Sequence, residues 1–198
     1  MRACARLARE WKVYLGAHPG PWDRKNFGRG LVSITSDELE LLLVQQVGAL
    51  ELIAREEGVR LHHVKLHGGL YHAVEASDAL ARTYLQCVHQ HWPWLKVYAR
   101  AGGAVWRAGA RPNLSVWGEA FVDRGYLADG GLVPRTSEGA LIEKVGAVRH
   151  RLLDLCHHRR VTSIGGTFLP VNWRTLCVHG DTPGAPAVAR WTREFLEG

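Results

Sequence analysis

The 198-residue chain contains no apolar run approaching the ~20 residues that a membrane-crossing helix needs, so no membrane association is expected. Its opening, "MRACARLAREWKVYLGAHPG", has positive charge but no uninterrupted apolar core. That pattern reads as an amphipathic helix feeding a strand, not as a signal peptide, and cytoplasm is the expected location. Cysteine is sparse. Cys4, Cys87, Cys156 and Cys177 include no C-x-x-C pair, so free thiols are expected in place of a disulfide framework. His157 and His158 follow Cys156, but neighbouring helical side chains diverge by about 100°, so the three do not converge on one ion. No metal site is expected in the chain. Concentrated charge of one sign is missing too: the net charge of +6 is scattered apart from short groups such as "HHRR" at 157–160. Nucleic-acid binders gather such charge on one face among aromatic platforms, so nucleic acid is not an expected partner, whereas anionic small molecules are. There is no Walker-type phosphate loop, repeat, low-complexity tract or interdomain linker.

What is present is a soluble globular composition, 46% hydrophobic and 22% charged, at a length that suits one domain over residues 1–198. The clearest helix is "TSDELELLLVQQVGALELIAREEG". Thr35 and Glu38 form a capping-box pattern, Gly58 gives the stop, and Leu39, Leu42, Leu43, Leu50, Ile53 and Ala54 make a core-facing stripe. Ser77 is placed to cap a second helix to about His89, with Pro93 beyond it. Further helices are expected near 103–108, from Glu143 to His158, and after Thr182 and Pro183 as N-cap and first helical residue. Strands are expected at "VYLGA" (13–17), around Val64 and Leu66, at "LKVYA" (95–99), in "LSVWGEAF" (114–121) and at "TLCV" (175–178). One helix followed by five strand–helix units predicts an α/β fold with a parallel sheet.

The chemistry falls at strand ends. The stretch "VKLHGGLYH" sends Lys65 and His67 to one side of an extended backbone, and Gly68 and Gly69 then open room for a ligand or loop. "GAHPGPWDR" carries His18, Asp23 and Arg24; "GEAFVDRGY" carries Glu119, Asp123 and Arg124; "CVHGDTPGA" carries His179 and Asp181. A lone histidine there is more often a hydrogen-bonded structural group, and a lone Asp181 could simply cap a helix. Because the C-terminal ends of parallel strands collect function on one face, the combined set predicts a single site. Lys65, His67, Glu119, His179 and Asp181 are its catalytic candidates. His18, Asp23, Tyr71, Asp123, Arg124 and Arg135 are its substrate-binding candidates.

The segments "GAHPGPWDRKNFGR", "HVKLHGGLYH", "EAFVDRGYLADGGLVPRTSEGALI" and "LCVHGDTPGA" resemble the LamB/YcsF family in order and spacing from about Met1 to the C-terminus. The family's characterised role is that of the A subunit of bacterial 5-oxoprolinase. The resemblance implies a β/α barrel of the glycoside hydrolase/deacetylase type with an apparent seven strands. It also implies ATP-dependent opening of 5-oxo-L-proline to L-glutamate together with partner subunits B and C. ATP enters as co-substrate, with accompanying magnesium left open. Two departures stand out. Leu66 and Gly69 replace the proline and alanine of the family's "VKPHGALY", and the acidic "DLNxDxGE" and "GFHAGDP"-like segments are absent. The expectation is therefore an incomplete barrel of five strand–helix units lacking the first two strand segments, through truncation or a start placed too late. A metal-dependent deacetylase-like hydrolase and an inactive truncated homologue are the alternative readings.

Overall fold

The computed structural model describes residues 1–110, 115–142 and 144–197. Leu114 of the expected fourth strand and Glu143 of the expected helix start lie outside the described residues. Strands alternate with helices along the chain, the α/β pattern of an incomplete β/α barrel. The chain divides into two compact units, Met1–Ala99 with Ala104–Val116, and Arg100–Gly103 with Trp117–Gly198.

The first unit opens with helix α1 (Arg2–Glu10), strand β1 (Leu15–Ala17) and helix α2 (Ser36–Glu56). Both halves of the capping box are formed at α2, with Glu38 N–H donating to Thr35 Oγ1 and Thr35 N–H to the Glu38 carboxylate. The helix ends as expected, and Gly58 takes φ +72°, a left-handed conformation that suits glycine. Leu39, Leu42, Leu43, Val47, Leu50 and Ala54 are buried, each leucine contributing about 1.5–3 kcal/mol. Ile53 of the expected stripe is only half-buried. Helix α1 is tied to the end of α2 by Arg2 and Arg6, which donate to the Glu57 carboxylate, and by Arg9, which donates to its carbonyl.

Strand β2 (Leu61–Val64) pairs in parallel with β1 and with β3 (Lys96–Arg100), giving the order β1-β2-β3. Gly16 faces His63 across the first pairing, and a Cβ at position 16 would fall on the His63 ring itself. That ring stacks on Tyr98 with centroids 4.2 Å apart, while its neighbour His62 stacks on Tyr14 at 3.9 Å. Burial first, then the charges of His62 and Lys65, push the His63 ring down to about 4, so it is neutral at neutral pH.

Helix α3 (Gly68–Glu75) follows at once, an element that the sequence reading does not include. Burial of Leu70, Tyr71 and Val74 on one side holds it despite its two leading glycines. Helix α4 (Asp78–His91) is capped by Ser77 Oγ, which accepts from Leu80 N–H. The short helix α5 (Ala104–Ala108) completes this unit.

Strand β4 (Val116–Phe121), in the second unit from Trp117 onward, pairs in parallel with β7 (Thr175–Cys177), matching Glu119 with Thr175. Between them come helix α6 (Val145–His158) and an antiparallel hairpin of β5 (Arg160–Thr162) and β6 (Phe168–Pro170), where the sequence pattern predicts a loop. Helix α7 (Ala185–Glu197) begins later than the expected Thr182–Pro183 start. Gly184 at φ +74° intervenes, and the Thr182 hydroxyl is engaged elsewhere.

Candidate functional site

The five parallel strands are followed by polar segments in both units. In the first unit the backbone beyond β2 stays extended: Lys65 N–H donates to Ala17 O at 3.0 Å and His67 N–H to Pro19 O at 2.8 Å. The alternation of this ladder carries Lys65 and His67 on one side, as expected. Lys65 is half-buried and its carbonyl accepts from His18 Nδ1 at 2.8 Å.

The two expected histidines meet. His67 Nδ1 lies 3.1 Å from His18 Nε2, and His67 Nε2 lies 2.7 Å from the Phe27 carbonyl. Carbonyl oxygens only accept, so His18 carries a proton on Nδ1 and His67 carries one on Nε2. The two nitrogens that face each other would then both be bare lone pairs in neutral rings. A hydrogen bond between them requires one additional proton shared across the pair.

The loop that supplies Phe27 is organised by Asp23. Its carboxylate accepts from Asn26 N–H, from the Asn26 side-chain amide and from Gly30 N–H. Asp23 thus shapes the loop that meets His67. Gly69 N–H donates to Gly28 O at 2.8 Å. A Cβ on Gly68 or Gly69 would collide with the carbonyl oxygens of Gly28 and Gly30, so the two glycines make room for a loop of the same chain. Gln46 on α2 fastens the other side, accepting from Gly20 N–H and donating to Gly20 O. A cleft of about 630 Å³ is bordered by His18, His67, Asp23, Trp22, Phe27 and Gln46. Tyr71 sits on α3, one turn past His67, and is 7% exposed.

The second unit holds a tighter constellation. His179 Nδ1 donates to Asp123 Oδ1 at 2.9 Å, His179 N–H donates to Oδ2 at 2.9 Å, and Thr182 Oγ1 donates to Oδ2 at 2.6 Å. Asp123 is fully buried. Burial alone would raise its carboxyl. The hydrogen bond and charge of His179, the Thr182 hydroxyl and the His179 backbone N–H together outweigh burial and hold it below the usual carboxylate value. With Nδ1 fixed on the carboxylate, Nε2 is the ring nitrogen left for proton transfer. The Phe121 ring lies near-parallel to the imidazole at 6.0 Å.

Two expected substrate-binding residues are engaged by contacts within the chain. Asp123 is enclosed by His179 and Thr182, and its carboxylate holds the His179 ring in place. Arg124 is 3% exposed, and its guanidinium donates to the carbonyls of Ala140 and Val133. It binds the returning loop 133–140, whose ladder also joins Gly125 N–H to Ala140 O and Ile142 N–H to Asp123 O. Arg151 continues this framework, donating to Arg124 O and Thr162 O.

Arg135 reaches Asp181, with Nη1 3.4 Å from Oδ2, on the more open side of the unit. Glu119 is 3% exposed on β4 and accepts from Thr175 Oγ1 at 3.4 Å. Sequence reasoning misses Thr182 as a partner of Asp123, because a threonine before proline reads as a helix cap. It misses Gln46 because a polar residue on an amphipathic helix reads as solvated surface.

Comparison with known proteins bears on the family and the fold. The model of the LamB/YcsF family matches residues 1–198. The chain is also similar to the crystal structure of a lactam utilization protein from Thermus thermophilus, at 35% sequence identity and a TM-score of 0.88. That match covers 99% of this chain and 78% of the other.

Proposed function

The chain belongs to the LamB/YcsF family, and from that premise we propose that it serves as the A subunit of a 5-oxoprolinase, opening 5-oxo-L-proline to L-glutamate with ATP and partner subunits B and C. The similarity to a lactam utilization protein supports an amide in a ring as substrate. The observation that carries the reading is the Asp123–His179–Thr182 cluster, an imidazole held in one tautomer by a buried, charged carboxylate.

The chemistry asks for such a group. A lactam is resonance-stabilised and its nitrogen leaves poorly. ATP supplies the phosphoryl group that makes the amide oxygen electron-withdrawing, so that water can add to the ring carbon. His179 Nε2 takes the proton from that water, and the resulting imidazolium can return a proton to the ring nitrogen as the C–N bond breaks. Asp123 keeps Nδ1 protonated and stabilises the imidazolium. Breaking that bond leaves the phosphoryl group on the new carboxyl as γ-glutamyl phosphate, which a second water hydrolyses, so the products are glutamate, ADP and inorganic phosphate.

The remaining candidates take lesser parts. Arg135 and Lys65 are the cations proposed for anionic groups, with Arg135 oriented by Asp181. His18 and His67, which border the cleft, are proposed to orient substrate there. Glu119 is retained as a proton acceptor secondary to His179. Among the described residues no helix is long and apolar enough to cross a membrane.

The direct test combines the purified chain with subunits B and C and follows ADP release with and without 5-oxoproline. ADP formation that depends on 5-oxoproline and yields glutamate in equal amount is expected. Release of ADP at the same rate without 5-oxoproline, or none at all, overturns the assignment.

A further inference from the structure

Helices α2 and α4 run side by side in the first unit. Ser36 meets Thr83, with the two hydroxyls 3.1 Å apart, and further along Trp92 Nε1 donates to the Glu51 carboxylate at 2.7 Å. These contacts ascend together along both helices, so the helices are parallel. Between them Glu40 of α2 faces Cys87 and His91 of α4. One ligand atom from each, a carboxylate oxygen, Sγ and a ring nitrogen, lies within 4.8 Å of the other two.

From this juxtaposition we propose that Glu40, Cys87 and His91 form a binding site for a divalent transition-metal ion of the zinc class. Cys87 and His91 stand four residues apart on one helix, the spacing that puts two side chains on the same face. Thiolate, imidazole and carboxylate are the three donor types zinc takes, at about 2.3, 2.0–2.1 and 2.0–2.2 Å. Tetrahedral bonds of those lengths set nitrogen and oxygen about 3.3 Å apart and sulfur and nitrogen about 3.5 Å apart. His91 Nε2 is 4.0 Å from Glu40 Oε1. Closing that gap takes under an ångström, and both side chains are exposed enough to move by it, at 36% and 48%.

Cys87 is the fixed point. It is 3% exposed, while the other two ligands reach it from the solvent side, so a fourth position is left for water. Burial first, and the charge of Glu40 second, push its thiol up to about 11. Coordination exchanges the Sγ proton for the ion and releases that proton to solvent. The ion would clip α2 to α4 across their shared face. Nothing in the proposed ring-opening reaction uses these three residues, so the two proposals stand or fall separately.

Cobalt(II) is the probe, because a cobalt–thiolate bond gives a sulfur-to-metal charge-transfer band that oxygen and nitrogen ligands do not. Chelator-treated protein titrated with cobalt(II) should develop that band to one equivalent per chain, and zinc(II) should abolish it. Cys87→Ser should remove the band while leaving the circular dichroism unchanged. His91→Ala alters an exposed side chain and keeps the test valid if the serine variant fails to fold. It should weaken cobalt binding by more than the about 10- to 100-fold that loss of an outer-shell partner costs. Zinc should raise the melting temperature of the wild-type chain and not that of His91→Ala. Absence of the band in the wild-type chain, its persistence in Cys87→Ser, or unchanged affinity in His91→Ala overturns the site.

Discussion

His179 Nδ1 lies 2.9 Å from Asp123 Oδ1, inside a unit where that carboxylate is fully buried. The bond selects the tautomer of the imidazole, so Asp123→Asn should preserve the fold and reverse the ring's preference. In the assembled complex kcat is expected to fall by about 10²- to 10⁴-fold with little change in KM. A KM effect with kcat intact would show that position 123 serves binding and not proton transfer.

The facing nitrogens of His18 and His67 make a spectroscopic prediction. Long-range ¹⁵N–¹H spectra should show His18 protonated at Nδ1 and His67 at Nε2, because each donates there to a carbonyl. A His18 ring protonated only at Nε2, or a His67 ring protonated only at Nδ1, would contradict these carbonyl contacts.

Glycine positions can be separated by what a methyl group would strike. Gly69→Ala drives a Cβ into the Gly30 carbonyl, and neither backbone can yield cheaply. A loss of about 1–3 kcal/mol or more is expected, read from the urea midpoint. Gly48 lies inside α2 with nothing within 4 Å of an added methyl, so Gly48→Ala should gain about 0.5–1 kcal/mol. Equal effects of the two changes would discredit the close loop contact.

Acid sensitivity follows from Glu57. Hydrogen bonds from Arg6 first and Arg2 second hold its carboxyl at about 2, against an ordinary 4.5. A carboxyl depressed in the folded state contributes stability that is complete above its unfolded value and disappears as pH falls through the folded one. The contribution should therefore fade between pH 4.5 and about 2, and Glu57→Gln should remove that part of the pH dependence. Parallel stability curves for the variant and the wild-type chain across that window would show that the α1–α2 ion pairs do not contribute.

Local signals with a mechanism are readable in the sequence. The Thr35–Glu38 box, the stop at Gly58 and the Ser77 cap all occur where the residues place them. The five parallel strands also occur where strands are expected, each just ahead of polar or glycine-rich residues. Helix α3 is hidden because Gly68 and Gly69 are poor helix formers, and burial of Leu70, Tyr71 and Val74 supersedes that preference. The β5–β6 hairpin is hidden by strands of only three residues, too short for alternation to register. Arg124 shows the limit at the site. Its strand-end position suggests a ligand cation, yet which carbonyls lie above it depends on a loop closing from residues 133–140.

The pairing of Gly16 with His63 has a consequence for descent. Since the imidazole fills the volume that any side chain at 16 would need, the two positions cannot drift independently. A lineage that enlarges residue 16 must first, or simultaneously, shrink residue 63, and its stack on Tyr98 goes with it. Related sequences should accordingly show a larger residue at 16 only where 63 has lost its ring.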